Sequence, residues 1–154
     1  MRKEWHMDVI DIKILEFLRE NSRINASLIG EQVNMSVSAV IERIKKLEAS
    51  GIIKQYTTIL NAKLLGKDTT AFISVRLEHP KYNESFMESV KKQPEISECY
   101  YLTGDFDYIL KVMTASTETL AQVLNEIKSI KGVSLTKTVV VLSTVKNEVS
   151  CSPK

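Results

Sequence analysis

Ser38, Ala39, Glu42, Arg43 and Lys46 recur at steps of one, three and four, so a helix over 37–50 would carry them along one side, with Val40, Ile44 and Leu47 on the other. That side opens with small residues, one bearing a hydroxyl, and closes with two long cations. Small residues let a helix settle deep in the major groove of a duplex, and Arg43 and Lys46 are long enough to meet base edges or phosphates. Ser36, just ahead of them, joins this group and carries an oxygen suited to capping the helix. Glu42 is the discordant member. A carboxylate repels phosphate, so it must accept from a cytosine amino group or pair with Arg43 or Lys46.

Two further helices are needed to hold that one. Met7, Ile10, Ile14, Phe17 and Leu18 make one helical face across 8–20, fading at Asn21, Ser22 and Arg23. Asn25 then caps a short second helix with Leu28, Ile29 and Val33 inward. Asn34 ends it, because asparagine tolerates the left-handed backbone of a tight interhelical turn. A short helix, a turn of about three residues and a longer helix beginning with small residues match the helix-turn-helix pattern. Gly51 stops the third helix, and the β-branched and aromatic run Ile52 to Leu60 predicts a strand that could serve as a wing. The alternative is a plain three-helix bundle with a solvated charged face, which the helix lengths disfavour.

After Asn61, Gly66 and Asp68 the period changes to two. Ala71, Ile73, Val75 and Leu77 alternate with Thr70, Phe72, Ser74 and Arg76. A helix bearing Tyr82, Phe86, Met87 and Val90 follows and breaks at Gln93 and Pro94. Strands are predicted over Ile96 to Thr103 and Tyr108 to Thr114, joined by a turn through Gly104, Asp105, Phe106 and Asp107. Ser116 caps a helix carrying Leu120, Val123, Leu124 and Ile127, and a last strand is predicted over Val133 to Val145. The order strand, helix, strand, strand, helix, strand is the ferredoxin-like arrangement, an antiparallel sheet with both helices on one face. Val139 to Leu142 are apolar on both sides of the last strand, so the open face is expected to be covered by a second copy of the chain.

The reading is therefore α+β: a winged helix-turn-helix over 1–60, a linker over 61–68, a ferredoxin-like βαββαβ domain over 69–146 and a flexible tail over 147–154. Formal charge is only +2, with 9 Lys and Arg against 8 Asp and Glu through residue 60 and 12 against 11 after it. Bulk charge thus cannot hold nucleic acid; a local cluster of Arg43, Lys45, Lys46 and Lys54, presented twice by a dimer, must do so. No apolar run approaches the roughly 20 residues of a membrane span. Glu4, Asp8 and Asp11 stand where a secretory signal would be apolar, which predicts a cytoplasmic protein. Cys99, Cys151, His6 and His79 supply neither a disulfide framework nor zinc-ligand spacing, so no metal or cofactor is expected.

Several runs carry a family resemblance: Met7-Asp8-Val9-Ile10-Asp11, Ser22-Arg23-Ile24, Arg43 to Glu48, Gly51 to Lys54 with Tyr56, and Thr103-Gly104-Asp105-Phe106-Asp107-Tyr108. Together they resemble the leucine-responsive/asparagine-regulator (Lrp/AsnC, feast/famine) transcription regulators over nearly the whole chain. Departures are Asn34 where glycine is common, Phe106 where tyrosine is frequent, and the extension Met1 to His6. The resemblance implies a DNA-binding regulator that dimerises through its C-terminal domain, can assemble to octamers, and in many members takes an amino-acid effector between subunits. Positions matching the effector cleft are Tyr101, Gly104, Asp105, Asp107, Thr136 and Thr138. Asp105 or Asp107 could bind an α-ammonium group, backbone N–H groups at Gly104 a carboxylate, and the threonine hydroxyls could orient the ligand; ordinary turn and strand chemistry is the competing reading.

Three alternatives stand beside this one. A haem-precursor decarboxylase of similar two-domain plan would need histidine or arginine in the C-terminal cleft, where only His79 and Arg76 are available. An RNA-recognition module would need base-stacking aromatics, and the strand Tyr108 to Thr114 lacks that pattern. A ligand-independent DNA-organising protein shares the DNA-binding half alone.

Overall fold

A computed structural model describes residues 6–153, so the extension noted at Met1 to His6 lies, through Trp5, outside the described residues. The chain divides into two compact units: residues up to Ile59 with the C-terminal Lys146–Lys154, and Leu60–Val145.

In the first unit, α1 spans Val9–Glu20, α2 Ala26–Val33 and α3 Val37–Ala49. Asp8 caps α1 reciprocally: its carboxylate accepts from the Asp11 N–H at 2.8 Å while the Asp11 carboxylate accepts from the Asp8 N–H at 3.2 Å. Asn25 and Ser36 cap α2 and α3 by accepting from Leu28 N–H (2.9 Å) and Ala39 N–H (3.2 Å). Asn34 adopts φ 54°, ψ 49°, the left-handed conformation expected of it. Ile14, Ile29, Val40 and Leu47 form a fully buried centre, flanked by Ile10, Ile44 and Ile53 among others.

Ile52 to Leu60, expected as a strand, forms none. Its Ile53 N–H donates to the Leu47 carbonyl at 3.2 Å and its Tyr56 hydroxyl to Glu48 at 2.9 Å, so the segment is anchored on α3 instead. β propensity makes a strand only where a second backbone edge is there to pair with, and no strand among the described residues pairs with this one. The expected flexible tail is grouped with the same unit, and Glu148 meets Arg19 at 3.4 Å.

The second unit runs β1 (Thr69–Leu77), a 3-10 turn (Pro80–Tyr82), α4 (Asn83–Lys91), β2 (Ile96–Tyr101), β3 (Tyr108–Thr114), α5 (Thr117–Ser129) and β4 (Val133–Val140). The strands lie in the order β2-β3-β1-β4, antiparallel throughout. Ala71, Ile73, Val75, Leu110 and Val112 on one sheet face pack with Phe86 and Val90 of α4 and Leu120, Val123 and Ile127 of α5, which makes this the ferredoxin-like arrangement. β2 and β4 end earlier than predicted, at Tyr101 and Val140. Beyond Val141, whose N–H still donates to Thr70, the strand has no neighbour left to pair with, and Leu142 is exposed.

Candidate nucleic-acid interface and effector residues

The turn between α2 and α3 is closed by backbone alone. Met35 N–H donates to the Gly30 carbonyl at 3.0 Å, and Gly30 is where the chain folds back most tightly, since a Cβ there would lie 2.6 Å from the Met35 carbonyl oxygen. Sequence reasoning missed Gly30, although a glycine inside a short helix is itself a signal of close approach. Ser36 Oγ accepts from the Ala39 N–H and lies 3.2 Å from Ser38 Oγ, which places both hydroxyls at the start of α3.

Along α3, Ser38, Glu42 and Lys46 are exposed as expected, while Ala39 is half-buried. Glu42 pairs with Lys46 at 3.6 Å, one of the two outcomes its position demanded. Arg43 departs from expectation. Its Nη1 donates to Asp11 Oδ1 at 2.7 Å and to Asp8 Oδ2 at 2.8 Å, and only 26% of its side chain is exposed. At about 100° per residue, Arg43 falls on the flank of α3 turned toward the start of α1, whereas Lys45 falls on the outer half, about as far from its centre as Lys46 is on the other side. Lys45 is exposed and makes no ion pair among the described residues; in the sequence it counts toward the cationic cluster but not toward that face. The carboxylates raise the Arg43 pKa, Asp11 most. The Asp8 carboxyl is held below its ordinary value, first by the Asp11 N–H and next by the guanidinium. A cavity of about 330 Å³ beside α3 is lined by His6, Asp11, Met35, Ala39, Glu42, Arg43 and Lys46.

In the second unit the matched effector positions separate into groups. Gly104, at φ 105°, and exposed Asp105 sit in the β2–β3 loop with Asp107. Asp107 is engaged structurally: its N–H donates to the Val75 carbonyl at 2.9 Å and its Oδ2 accepts from the Leu77 N–H at 2.7 Å. Asp105 has no hydrogen-bond or ion-pair partner among the described residues. Tyr101 stacks on Tyr108 with ring centroids 5.1 Å apart, on edge strand β2. Thr136 and Thr138 lie on the opposite edge strand, β4, and Thr138 Oγ1 is buried without a hydrogen-bond partner. Three strand spacings, about 14 Å, separate β2 from β4. A cavity of about 140 Å³ in this unit, bordered by Lys67, Glu95, Thr114 and Thr119 among others, contains none of the six.

The two groups available to a decarboxylase both have other partners. His79 Nδ1 accepts from the Lys81 N–H at 3.0 Å, and Arg76 lies over the Phe106 ring at 5.8 Å. Among the described residues no group of three His, Cys, Asp or Glu side chains could hold a metal ion, and no helix is long and apolar enough to cross a membrane.

Comparison with known proteins matches residues 7–54 to a winged helix-turn-helix DNA-binding model and residues 70–150 to the Lrp/AsnC ligand binding domain. An HTH-type transcriptional regulator of Pyrococcus furiosus is 38% identical over 140 residues, covering 91% of this chain and 92% of the relative. The leucine-responsive regulatory protein of Klebsiella pneumoniae is 34% identical over 143 residues, covering 91% and 87%. Among solved structures, E. coli AsnC superimposes with a TM-score of 0.90 at 29% identity over 97% of this chain and 100% of its own. A transcriptional regulator of Neisseria meningitidis, solved as a complex with L-Met, gives a TM-score of 0.90 at 34% identity over 95% and 96%.

Proposed function

The chain belongs to the Lrp/AsnC family of transcription regulators, and from that premise we propose that it binds duplex DNA through α2 and α3 and adjusts that binding to an amino-acid effector. The observation that carries the first half is the left-handed turn at Asn34, which sets a short helix against a longer one whose outer face bears Ser38, Ala39, Glu42, Lys45 and Lys46. Ser36 holds the first turn of α3 where its free N–H groups could face phosphate. Arg43 lies on the flank of that face, paired with Asp8 and Asp11.

The effector proposal is supported by chemistry that folding leaves unused: the Asp105 carboxylate, the open backbone at Gly104, and the Thr138 hydroxyl. The relative solved with L-Met supports the same class of ligand. Tyr101 on β2 lies three strands from β4, whereas Asp107 bonds β1 at Val75, the register neighbour of Thr136; a second copy would add its own Gly104 and Asp105 to Thr136 and Thr138 to complete the site. That copy would cover the sheet face opposite the helices, where Phe72, Ile109, Leu135 and Val139 stand, and would reach Thr136 and Thr138, which share the helix side with Val75 and Ile73, around the β4 edge. The unit of action would then be a cytoplasmic homodimer, open to assembly into octamers and without catalytic function.

Gel shift on the region upstream of its own gene, with and without each of the twenty amino acids, tests both halves. The expected result is a shift of that fragment ahead of a mixed-sequence duplex, changed by at least one amino acid. Equal affinity for both duplexes would remove sequence-specific regulation. No calorimetric heat from any amino acid with folded protein would remove sensing and leave a DNA-organising role. A monomeric mass by sedimentation at micromolar concentration would remove the shared site.

A further inference from the structure

One guanidinium binds two carboxylates of another helix. Arg43 Nη1 lies 2.7 Å from Asp11 and 2.8 Å from Asp8, and those two carboxylates are also the reciprocal cap of α1. The Asp11 side chain is 9% exposed, so this end of the network is shielded from solvent and from competing ions. The cluster as a whole carries one positive and two negative charges. A phosphate approaching Arg43 would therefore meet a net negative site, and to take the phosphate the arginine would have to abandon two charge-assisted hydrogen bonds, each stronger than a neutral one. Lys45 and Lys46 face no such obstacle. Lys45 has no ion pair among the described residues, and the Lys46 contact to Glu42 is an exposed i,i+4 pair of the kind that exchanges freely with solvent.

Resting on the DNA-binding reading above, we infer that Arg43 is a positioning residue that locks α3 against the start of α1, and that the cations meeting phosphate are Lys45 and Lys46. Asp8 and Asp11 are then part of the reading apparatus although both are acidic and neither faces DNA. Removing a carboxylate beside a DNA-binding surface ordinarily strengthens binding, because it removes a repulsion. Here the opposite sign is expected.

The test is a salt titration of DNA affinity with the full chain, on a duplex spanning the region upstream of its own gene and a mixed-sequence duplex of equal length. Lys45→Ala and Lys46→Ala should each reduce the slope of log affinity against log salt by about 0.9 for every phosphate that the variant no longer neutralises. Arg43→Lys keeps the charge but not the fork that spans two carboxylates, and should lose affinity roughly tenfold, the scale of one charged hydrogen bond, at unchanged slope. Asp8→Asn keeps an excellent N-cap at a half-exposed position, so the variant should fold. It should also bind more weakly than wild type at every salt concentration.

Tighter binding by Asp8→Asn, or full affinity in Arg43→Lys, would overturn the clamp and return Arg43 to the phosphate. Unchanged slopes in both lysine variants would overturn their assignment. Failure of the wild type to bind either duplex would instead bring down the DNA-binding reading on which the inference rests.

Discussion

Both units are close to neutral, with 11 Lys and Arg against 9 Asp and Glu in the N-terminal one and 10 against 10 in the C-terminal one, yet the two are held together differently. In the C-terminal unit, twelve buried side chains from strands and helices form one continuous core. Among the described residues of the N-terminal unit the buried hydrophobic centre is Ile14, Ile29, Val40 and Leu47, and the remaining definition comes from three side-chain caps, a left-handed turn and the Arg43 cluster. A sheet-based core tolerates substitution on its surface because its energy is spread over many apolar contacts. A three-helix unit of this size concentrates definition in a few polar devices, and several of these adjoin the helix proposed to read DNA. Stability and function should be separable in the C-terminal unit and entangled in the N-terminal one.

The largest effect expected is in the larger core. Phe86 is fully buried and packs on Tyr108 with ring centroids 4.7 Å apart, so Phe86→Ala should cost about 3–5 kcal/mol in urea unfolding of the C-terminal unit. Tryptophan is absent from that unit, so circular dichroism is the readout; an equal loss in both units would mean that they unfold as one and would break the comparison. Next comes Gly30→Ala. Its new Cβ would meet backbone, the Met35 carbonyl oxygen at 2.6 Å, and a loss of about 1–3 kcal/mol is expected despite alanine's better helix propensity. A gain in stability would show that the turn yields cheaply. Asn34→Ala should cost about 1 kcal/mol, from the left-handed backbone, while Asn34→Gly should be near neutral; parallel thermal melts of the two variants check this.

What the sequence disclosed follows the range of the interactions. Asn25, Ser36 and Ser116 could be assigned as caps because a cap and its partner lie within three residues, whereas the cap at Asp8 reads in the sequence as part of the first helix. The βαββαβ order was equally legible, since the change of hydrophobic period at Thr69 is itself local. Long-range pairing was not legible. The Arg43 contact to Asp11 spans 32 residues and depends on the angle between two helices, which periodicity does not contain. Asp105 and Asp107 look alike in a Gly-Asp turn, and only the position of the Leu77 N–H tells the free carboxylate from the engaged one. The strand expected over Ile52 to Leu60 is absent for a related reason: the segment has strand composition, but a strand is a relation between two segments.

Smaller effects come from titration, and they fall in the polar N-terminal unit. The Asp8 carboxyl sits below its ordinary value when folded, so its stabilising contribution is present above the unfolded value of about 3.9. It is lost as pH falls through the lower folded value. Thermal melts followed by circular dichroism should therefore show the N-terminal unit weakening with acid across that window, and Asp8→Asn should flatten the dependence. An identical acid profile in the variant would mean that other carboxylates set it.

Tyr56 offers the gentlest probe, at the opposite end of the pH scale. Its hydroxyl donates to Glu48 at 2.9 Å, and its pKa is pushed up to about 12, first by burial, then by the hydrogen bond and charge of Glu48. A folded value above the unfolded one, about 10, means that the folded state holds the proton more tightly. The contribution to stability is therefore intact below about pH 10 and is lost as pH rises toward 12. Ultraviolet titration should find late phenolates, since Tyr100 and Tyr108 are also raised, and Tyr56→Phe should remove one of them. Glu48→Gln keeps an acceptor but deletes the charge, and because burial is the largest cause, it should bring the value only part of the way back. A return to the ordinary tyrosine value in Glu48→Gln would mean that charge, not packing, holds the segment after α3 in place. The N-terminal unit would then depend on polar contacts even where its chain leaves the helices.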